Sequence, residues 1–246
     1  MSILNITYFG AAAVELQTQD GKRLLIDPYI NGNPFTTKTP ADFSDVDLIL
    51  VTHAAFDHLG DTIEIMKASR ARLIAGFEVG QLCEKAGIDP ERMWVTIYGD
   101  LRVSHGYSVR TVQAKHVSLI KENEKMITGM AFGYVITTQE GICVYHPGDT
   151  AIFSDMKLYR ELYRPQIMLV GVDKIAEPYP CEMTPYEAAL ATQWIGPDVV
   201  IPIHYPQNST APKEFRQFVK DISPTTQVVE AIDQTVVYSK FEVNKL

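Results

Sequence analysis

The segment Thr52-His53-Ala54-Ala55-Phe56-Asp57-His58-Leu59-Gly60-Asp61 places two imidazoles and a carboxylate within the six residues 53–58. It follows the apolar run Val46-Asp47-Leu48-Ile49-Leu50-Val51, which predicts a buried strand. Nitrogen and oxygen donors fixed at the mouth of a rigid strand suit Zn²⁺, Mn²⁺ or Fe²⁺ in a hydrolytic site, where a bound cation acidifies water and polarises a carbonyl or phosphoryl oxygen. Further donors stand in similar places: His116 after strand 108–114, Asp149 in His146-Pro147-Gly148-Asp149-Thr150, and His204 at the end of strand 199–203. A lone histidine is usually a surface or packed residue, but four of them at strand ends alongside Asp57 and Asp149 are poorly explained by coincidence. His105, in Ser104-His105-Gly106, reads instead as a solvated turn.

The elements that must position these groups begin with short strands at 3–8, 12–17 and 23–26, with Gln19-Asp20-Gly21 as a hairpin turn. Asp27-Pro28 stops the third strand and opens a loop, residues 29–39, expected to form a pocket wall. After the histidine segment a helix is predicted, with Asp61 as N-cap rather than catalytic acid and Glu64 three residues on. Strand 72–75 and a helix over 78–86, ended by Gly87, come next, then strands 93–97, 100–103 and 107–114. Residues 129–138 should pair with 142–145 across Gln139-Glu140-Gly141. The last third alternates helix 155–162, strand 167–172, helix 184–194 behind Thr184-Pro185, strand 199–203 and helix 212–221. The expected architecture is α/β (α+β), two mixed sheets packed face to face with helices outside, in one domain over residues 1–246.

With 46% hydrophobic and 21% charged residues over 246 positions, the chain has the composition of an ordinary folded domain. A net charge of −8 argues against a nucleic-acid partner, because phosphate binding draws on clustered Lys and Arg. No segment approaches the length of a membrane span, and Met1-Ser2-Ile3-Leu4-Asn5 opens no signal peptide, so a cytoplasmic protein with no membrane partner is expected. A homo-oligomer stays open. Cys83, Cys143 and Cys181 form no CxxC pair. Cys83 and Cys143 read as core residues, whereas Cys181 lies in a Pro-rich loop.

The run from His53 to His58 resembles the His-x-His-x-Asp-His signature of the metallo-β-lactamase superfamily, with Ala55 at the second histidine position. Asp27-Pro28, His116, Asp149 and His204 match the superfamily's order. The chain is most similar to its small single-domain metal-dependent hydrolases, such as ascorbate-phosphate lactonase. The resemblance implies a four-layer αββα sandwich. It also implies a first metal on His53, His116 and Asp149, and a second on Asp57, His58 and His204, with Asp149 bridging; Asp57 and Asp149 are the residues expected to be catalytic. Ala55 stands where the first metal's third imidazole would be, so one tightly held ion and a weak or absent second are expected, Zn or Mn, with Fe also open. His146 either orients the bridging carboxylate or packs in its loop.

The function expected is hydrolysis of a lactone, ester or phosphoester bond in a small molecule. The alternative is a catalytically impaired metal-binding or ligand-binding protein, supported by Ala55. Loops 29–39, 117–126, 173–184 and 205–212 should surround the metals, carrying Tyr29, Asn31, Phe35, Lys121, Lys174, Tyr179 and Tyr205. Tyr29, Lys174 and Tyr205 are the candidate substrate contacts, with either lysine able to neutralise an anionic group.

Overall fold

Alternation along the first strands assigns their two faces. In residues 24–26, Leu24 and Ile26 join one hydrophobic cluster while Leu25 joins another; in 48–50, Leu48 and Leu50 join the first and Ile49 the second. A period of two with apolar residues on both faces requires cover on both sides. The computed structural model describes residues 2–174, 182–239 and 242–245. It supplies that cover with a second sheet on one face and helices on the other.

The chain runs through β1 (Ile3–Gly10), β2 (Ala13–Thr18), β3 (Arg23–Ile26) and β4 (Leu48–Leu50), then α1 (Phe56–Leu59) and α2 (Thr62–Ala68). β5 (Arg72–Ala75), α3 (Phe77–Lys85) and β6 (Met93–Val95) complete the first half. The second sheet begins with β7 (Leu101–Ser104), β8 (Tyr107–Glu122), β9 (Lys125–Thr138) and β10 (Cys143–His146). It continues through α4 (Met156–Tyr163), β11 (Ile167–Gly171), α5 (Pro185–Ile195), β12 (Val199–Ile203), α6 (Ala211–Ile222) and β13 (Gln227–Val228). β14 (Gln234–Ser239) and β15 (Glu242–Lys245) return to the first sheet.

The first sheet has the order β15-β14-β1-β2-β3-β4-β5-β6 and the second β13-β12-β11-β10-β9-β8-β7. Both are mixed: β3, β4, β5 and β6 run parallel, as do β10 to β13, and the remaining pairs are antiparallel. One cluster fills the space between the sheets and continues under α4, α5 and α6; the other packs α2 and α3 on the first sheet. The result is the expected αββα sandwich. No described helix is long and apolar enough to cross a membrane.

Several expectations about elements need correction. Residues 117–126 are not a loop: β8 and β9 form one long hairpin turning at Asn123-Glu124, both at positive φ (47° and 64°). The strand expected over 46–51 is confined to Leu48–Leu50. Asp61 occupies the N-cap position of α2 but makes no capping bond. Its carboxylate instead accepts from the Ile30 and Asn31 backbone N–H groups (2.7 and 2.8 Å) and from Asn31 Nδ2 (2.8 Å), tying down the 29–33 loop. The cap expected at Thr184 does form, as a capping box with Glu187, and Gly196 ends that helix in the left-handed region. β13, β14 and β15 have no counterpart among the predicted elements. Cys83 and Cys143 are buried as expected; Cys181 and Tyr179 lie outside the described residues.

Candidate metal centre

Three strand ends and one bulge deliver the candidate residues to one place. β4 ends into His53, Asp57 and His58, and the last two sit in the single turn of α1. β10 ends at His146, and the Pro147-Gly148 turn then presents Asp149. Gly148 has φ 65°, and a Cβ there would lie 2.5 Å from Phe132 O, so only glycine lets this turn approach β9 so closely. β12 ends at Ile203, and His204 follows with φ 56°, an unusual conformation for a non-glycine residue. His204 is held there by its N–H, which donates to Ala11 O (2.8 Å) and also lies 3.1 Å from Tyr8 Oη.

His116 does not follow the end of a strand. It lies inside β8, where the register slips between Gln113, opposite Phe132, and Val117, opposite Met130. Three residues of β8 therefore face one of β9, and this bulge re-aims the imidazole.

The six expected ligands converge. Donor atoms of His53, His116 and Asp149 lie within 4.8 Å of one another, as do those of Asp57, His58 and His204. His58 Nε2 is 3.1 Å from Asp149 Oδ2 and 3.8 Å from Asp57 Oδ2; His204 Nε2 is 3.4 and 3.3 Å from the same two oxygens. Asp149 thus touches both groups. The rings of His53 and His58 are 4.0 Å apart, and those of His53 and His116 5.0 Å.

Asp27, whose turn with Pro28 matches the superfamily's order but carries no expected role among the site residues, proves to be part of this site. It is fully buried at positive φ (46°). Its carboxylate accepts from Thr52 N–H, Thr52 Oγ1 and His58 Nδ1 (2.7, 2.7 and 2.8 Å). That last bond puts the ring proton of His58 on Nδ1 and turns Nε2 towards Asp149, the orientation a metal-ligating histidine requires. A second support runs from Ala54 N–H to Ser118 Oγ (2.8 Å), which in turn donates to the buried Glu78 (2.5 Å).

The electrostatics are those of a cluster able to hold a cation. Burial works against charge on His58 and His204, yet Asp149 leads the carboxylates in outweighing it: His58 is raised well above its usual range and His204 to about 9. Asp149 is held well below the carboxylate range despite burial, by His204 and His58; Asp57 is lowered by His58 and His204. Burial keeps His53 and His116 neutral, with ring nitrogens available as donors. His58 Nε2 is buried and, among the described residues, makes no well-aligned hydrogen bond although a carboxylate oxygen is 3.1 Å away. An orphaned ring nitrogen, neutral imidazoles and two converging carboxylates fit a bound divalent cation.

The groups open into a cavity of about 260 Å³ lined by His53, Ala55, Phe56, Asp57, His116, Val117, Leu119, Asp149, Glu182 and His204. Ala55 contributes only a methyl group. None of Tyr29, Lys174 or Tyr205 is in this lining. Tyr29 donates to Gly32 O (2.9 Å) and packs edge-on against Phe56 at 5.8 Å, one layer behind the wall. Tyr205 is buried in the core beside Tyr8 and Phe35. Lys174 is half-buried beside Asp173, whose Oδ1 accepts its N–H. His146 is fully buried, and its Nδ1 accepts from Gly148 N–H (3.1 Å), so it braces the turn that carries Asp149. Glu182, on the wall, was not anticipated; nothing in its spacing from the histidines marks it.

A β-lactamase superfamily domain profile matches residues 5–204. The chain is 39% identical over 231 residues to a UPF0173 metal-dependent hydrolase of Methanopyrus kandleri, covering 92% of this chain and 96% of that protein. It is 36% identical over 223 residues to a UPF0173 metal-dependent hydrolase of Geobacillus thermodenitrificans, covering 90% and 94%. Among solved structures it resembles Igni18, a metallo hydrolase of the archaeon Ignicoccus hospitalis, with a TM-score of 0.81, 28% identity and coverage of 96% and 99%. An isothiocyanate hydrolase from Delia radicum gut bacteria shares the fold, with a TM-score of 0.70 at 17% identity and coverage of 96% and 99%. Sandwich and donor cluster together define a metal-dependent hydrolase of metallo-β-lactamase fold. The chain belongs to the β-lactamase superfamily, and to its UPF0173 metal-dependent hydrolases.

Proposed function

We propose that the chain, as one domain, hydrolyses an uncharged lactone or ester of a small molecule, with His53, Asp57, His58, His116, Asp149 and His204 as metal ligands. The observation that carries this reading is the convergence of both donor groups on a cavity whose described lining includes no Lys or Arg. A phosphoester would bring negative charge beside Asp57, Asp149 and Glu182 with only the metal to offset it, so the lactone or ester is favoured. A bound Zn²⁺ or Mn²⁺ supplies an acidified water and a Lewis acid. Asp149, in reach of both groups, holds them in one constellation, and Asp57 anchors the side of His58 and His204. Asp27 fixes the tautomer of His58. Phe56, Val117 and Leu119 form the apolar wall against which the substrate's non-reacting part packs.

Ala55 supports a second reading, a metal-binding protein with weakened catalysis, because the first group has three donors where a further imidazole would complete it. A panel of lactones, carboxylic esters and phosphodiesters, assayed with added Mn²⁺ or Zn²⁺, separates the two. Turnover of lactones or esters above phosphodiesters is expected, rising in Ala55→His. Preference for phosphodiesters would refute the substrate class, and metal uptake without any turnover would favour the second reading.

A further inference from the structure

Glu182 lies just ahead of the Thr184 cap of α5 and belongs to neither expected ligand set. Its side chain is only 8% exposed, and Oε2 is buried without a hydrogen bond among the described residues, 3.7 Å from His204 Nδ1. One of its carboxylate oxygens, one of Asp149 and a ring nitrogen of His204 lie within 4.8 Å of one another. Burying a carboxylate beside a second one is costly unless positive charge stands between them. The cavity offers no described Lys or Arg for the purpose, and His204 already faces Asp57 and Asp149.

Resting on the metal-centre reading above, we propose that Glu182 is itself a metal ligand, acting with Asp149 and His204. It does not refill the gap at Ala55: of its two neighbours His204 belongs to the second group and Asp149 is shared, and neither His53 nor His116 is among them. It adds an oxygen donor on that side, so the centre as a whole is poorer in imidazole and richer in carboxylate. Such a set shifts preference towards oxygen-favouring ions such as Mn²⁺ relative to Zn²⁺.

The rival explanation is that Glu182 only accepts the His204 ring proton and so steadies that imidazole. Metal-free full-length protein, Glu182→Gln and Glu182→Ala would each be titrated with Mn²⁺, read by loss of the free-ion resonance signal, and with Co²⁺, read by visible absorption. Removing a ligand should weaken Mn²⁺ binding in both variants by at least about 10-fold and alter the Co²⁺ bands. Mn²⁺ should lose more than Zn²⁺ in chelator competition. Glu182→Gln keeps the size and an acceptor oxygen, so near-normal Mn²⁺ affinity and Co²⁺ bands in that variant would overturn the assignment alone. Because Glu182→Gln removes a buried charge, its metal-free melting temperature should match or exceed that of the unaltered chain, which separates lost ligation from lost folding. An unaltered chain that takes up neither ion would overturn the metal-centre reading as well.

Discussion

His146 shows what a buried group close to the site does without reaching it. Burial holds its imidazole neutral and pushes its pKa down to about 4, while Nδ1 accepts from Gly148. Its unfolded value is about 6.5, so as pH falls below that the unfolded chain binds a proton that the folded chain refuses. Stability of the metal-free protein should therefore decline between about pH 6.5 and 4, by roughly 3 kcal/mol from this residue. His53 and His116, also lowered, act in the same sense; His204, raised to about 9, stabilises below about 6.5 and loses that contribution as pH climbs to 9. Urea unfolding across pH 4–7 should show a shallower acid limb in His146→Asn, whose side-chain oxygen can still accept from Gly148; an unchanged limb would contradict it. The sequence left His146 open between two roles because only the ring's hydrogen bond distinguishes them. Asp27 and Glu182 were harder still, since their parts in the site depend on partners 31 and 22 residues away.

Secondary elements were legible where turn chemistry was explicit. Gly21, Gly87 and Gly141 mark ends that the structure confirms at positive φ. The β8–β9 hairpin was missed because Lys121-Glu122-Asn123-Glu124-Lys125 reads as a polar loop, and Glu124 is no turn former. Yet Glu124 sits at φ 64°, a conformation costing an L-residue about 1–2 kcal/mol. Glu124→Gly makes the Asn-Gly pair such a turn prefers and forfeits only the exposed ion pair with Lys121. After the extra chain entropy glycine loses, a net gain of roughly 0.5–1 kcal/mol in urea unfolding is expected, and destabilisation would show that the turn is not strained. The hairpin matters to the site because its bulge carries His116 and its wall carries Val117 and Leu119. Strand β14 escaped for another reason: Gln234-Thr235-Val236-Val237-Tyr238-Ser239 holds three apolar residues in a row without a clear alternation, and its place is set by pairing with the distant β1.

At the scale of the molecule, the donors come from both sheets. His53, Asp57 and His58 follow β4 of the first, whereas His116 lies in β8 and Asp149 and His204 follow β10 and β12 of the second. The layered sandwich could be foreseen from the order of strands and helices along the chain and from the family resemblance, but not which strand ends would meet across it. A cation bound by these residues would therefore tie one sheet to the other at one edge of their shared core, and would bind the folded chain alone. At a free-ion concentration of 100 Kd this linkage stabilises by about 2.7 kcal/mol. For a chain of this size each kcal/mol moves the midpoint by roughly 2–4 °C. Scanning calorimetry should thus show a rise of roughly 5–10 °C on adding Mn²⁺ or Zn²⁺ to metal-free protein, reversed by a chelator. Asp149→Asn, which weakens the donor common to both groups, should lose most of that rise. If the midpoint of the unaltered chain did not move with either ion, or the variant responded equally, the cross-sheet tie would be refuted, however well the six side chains converge.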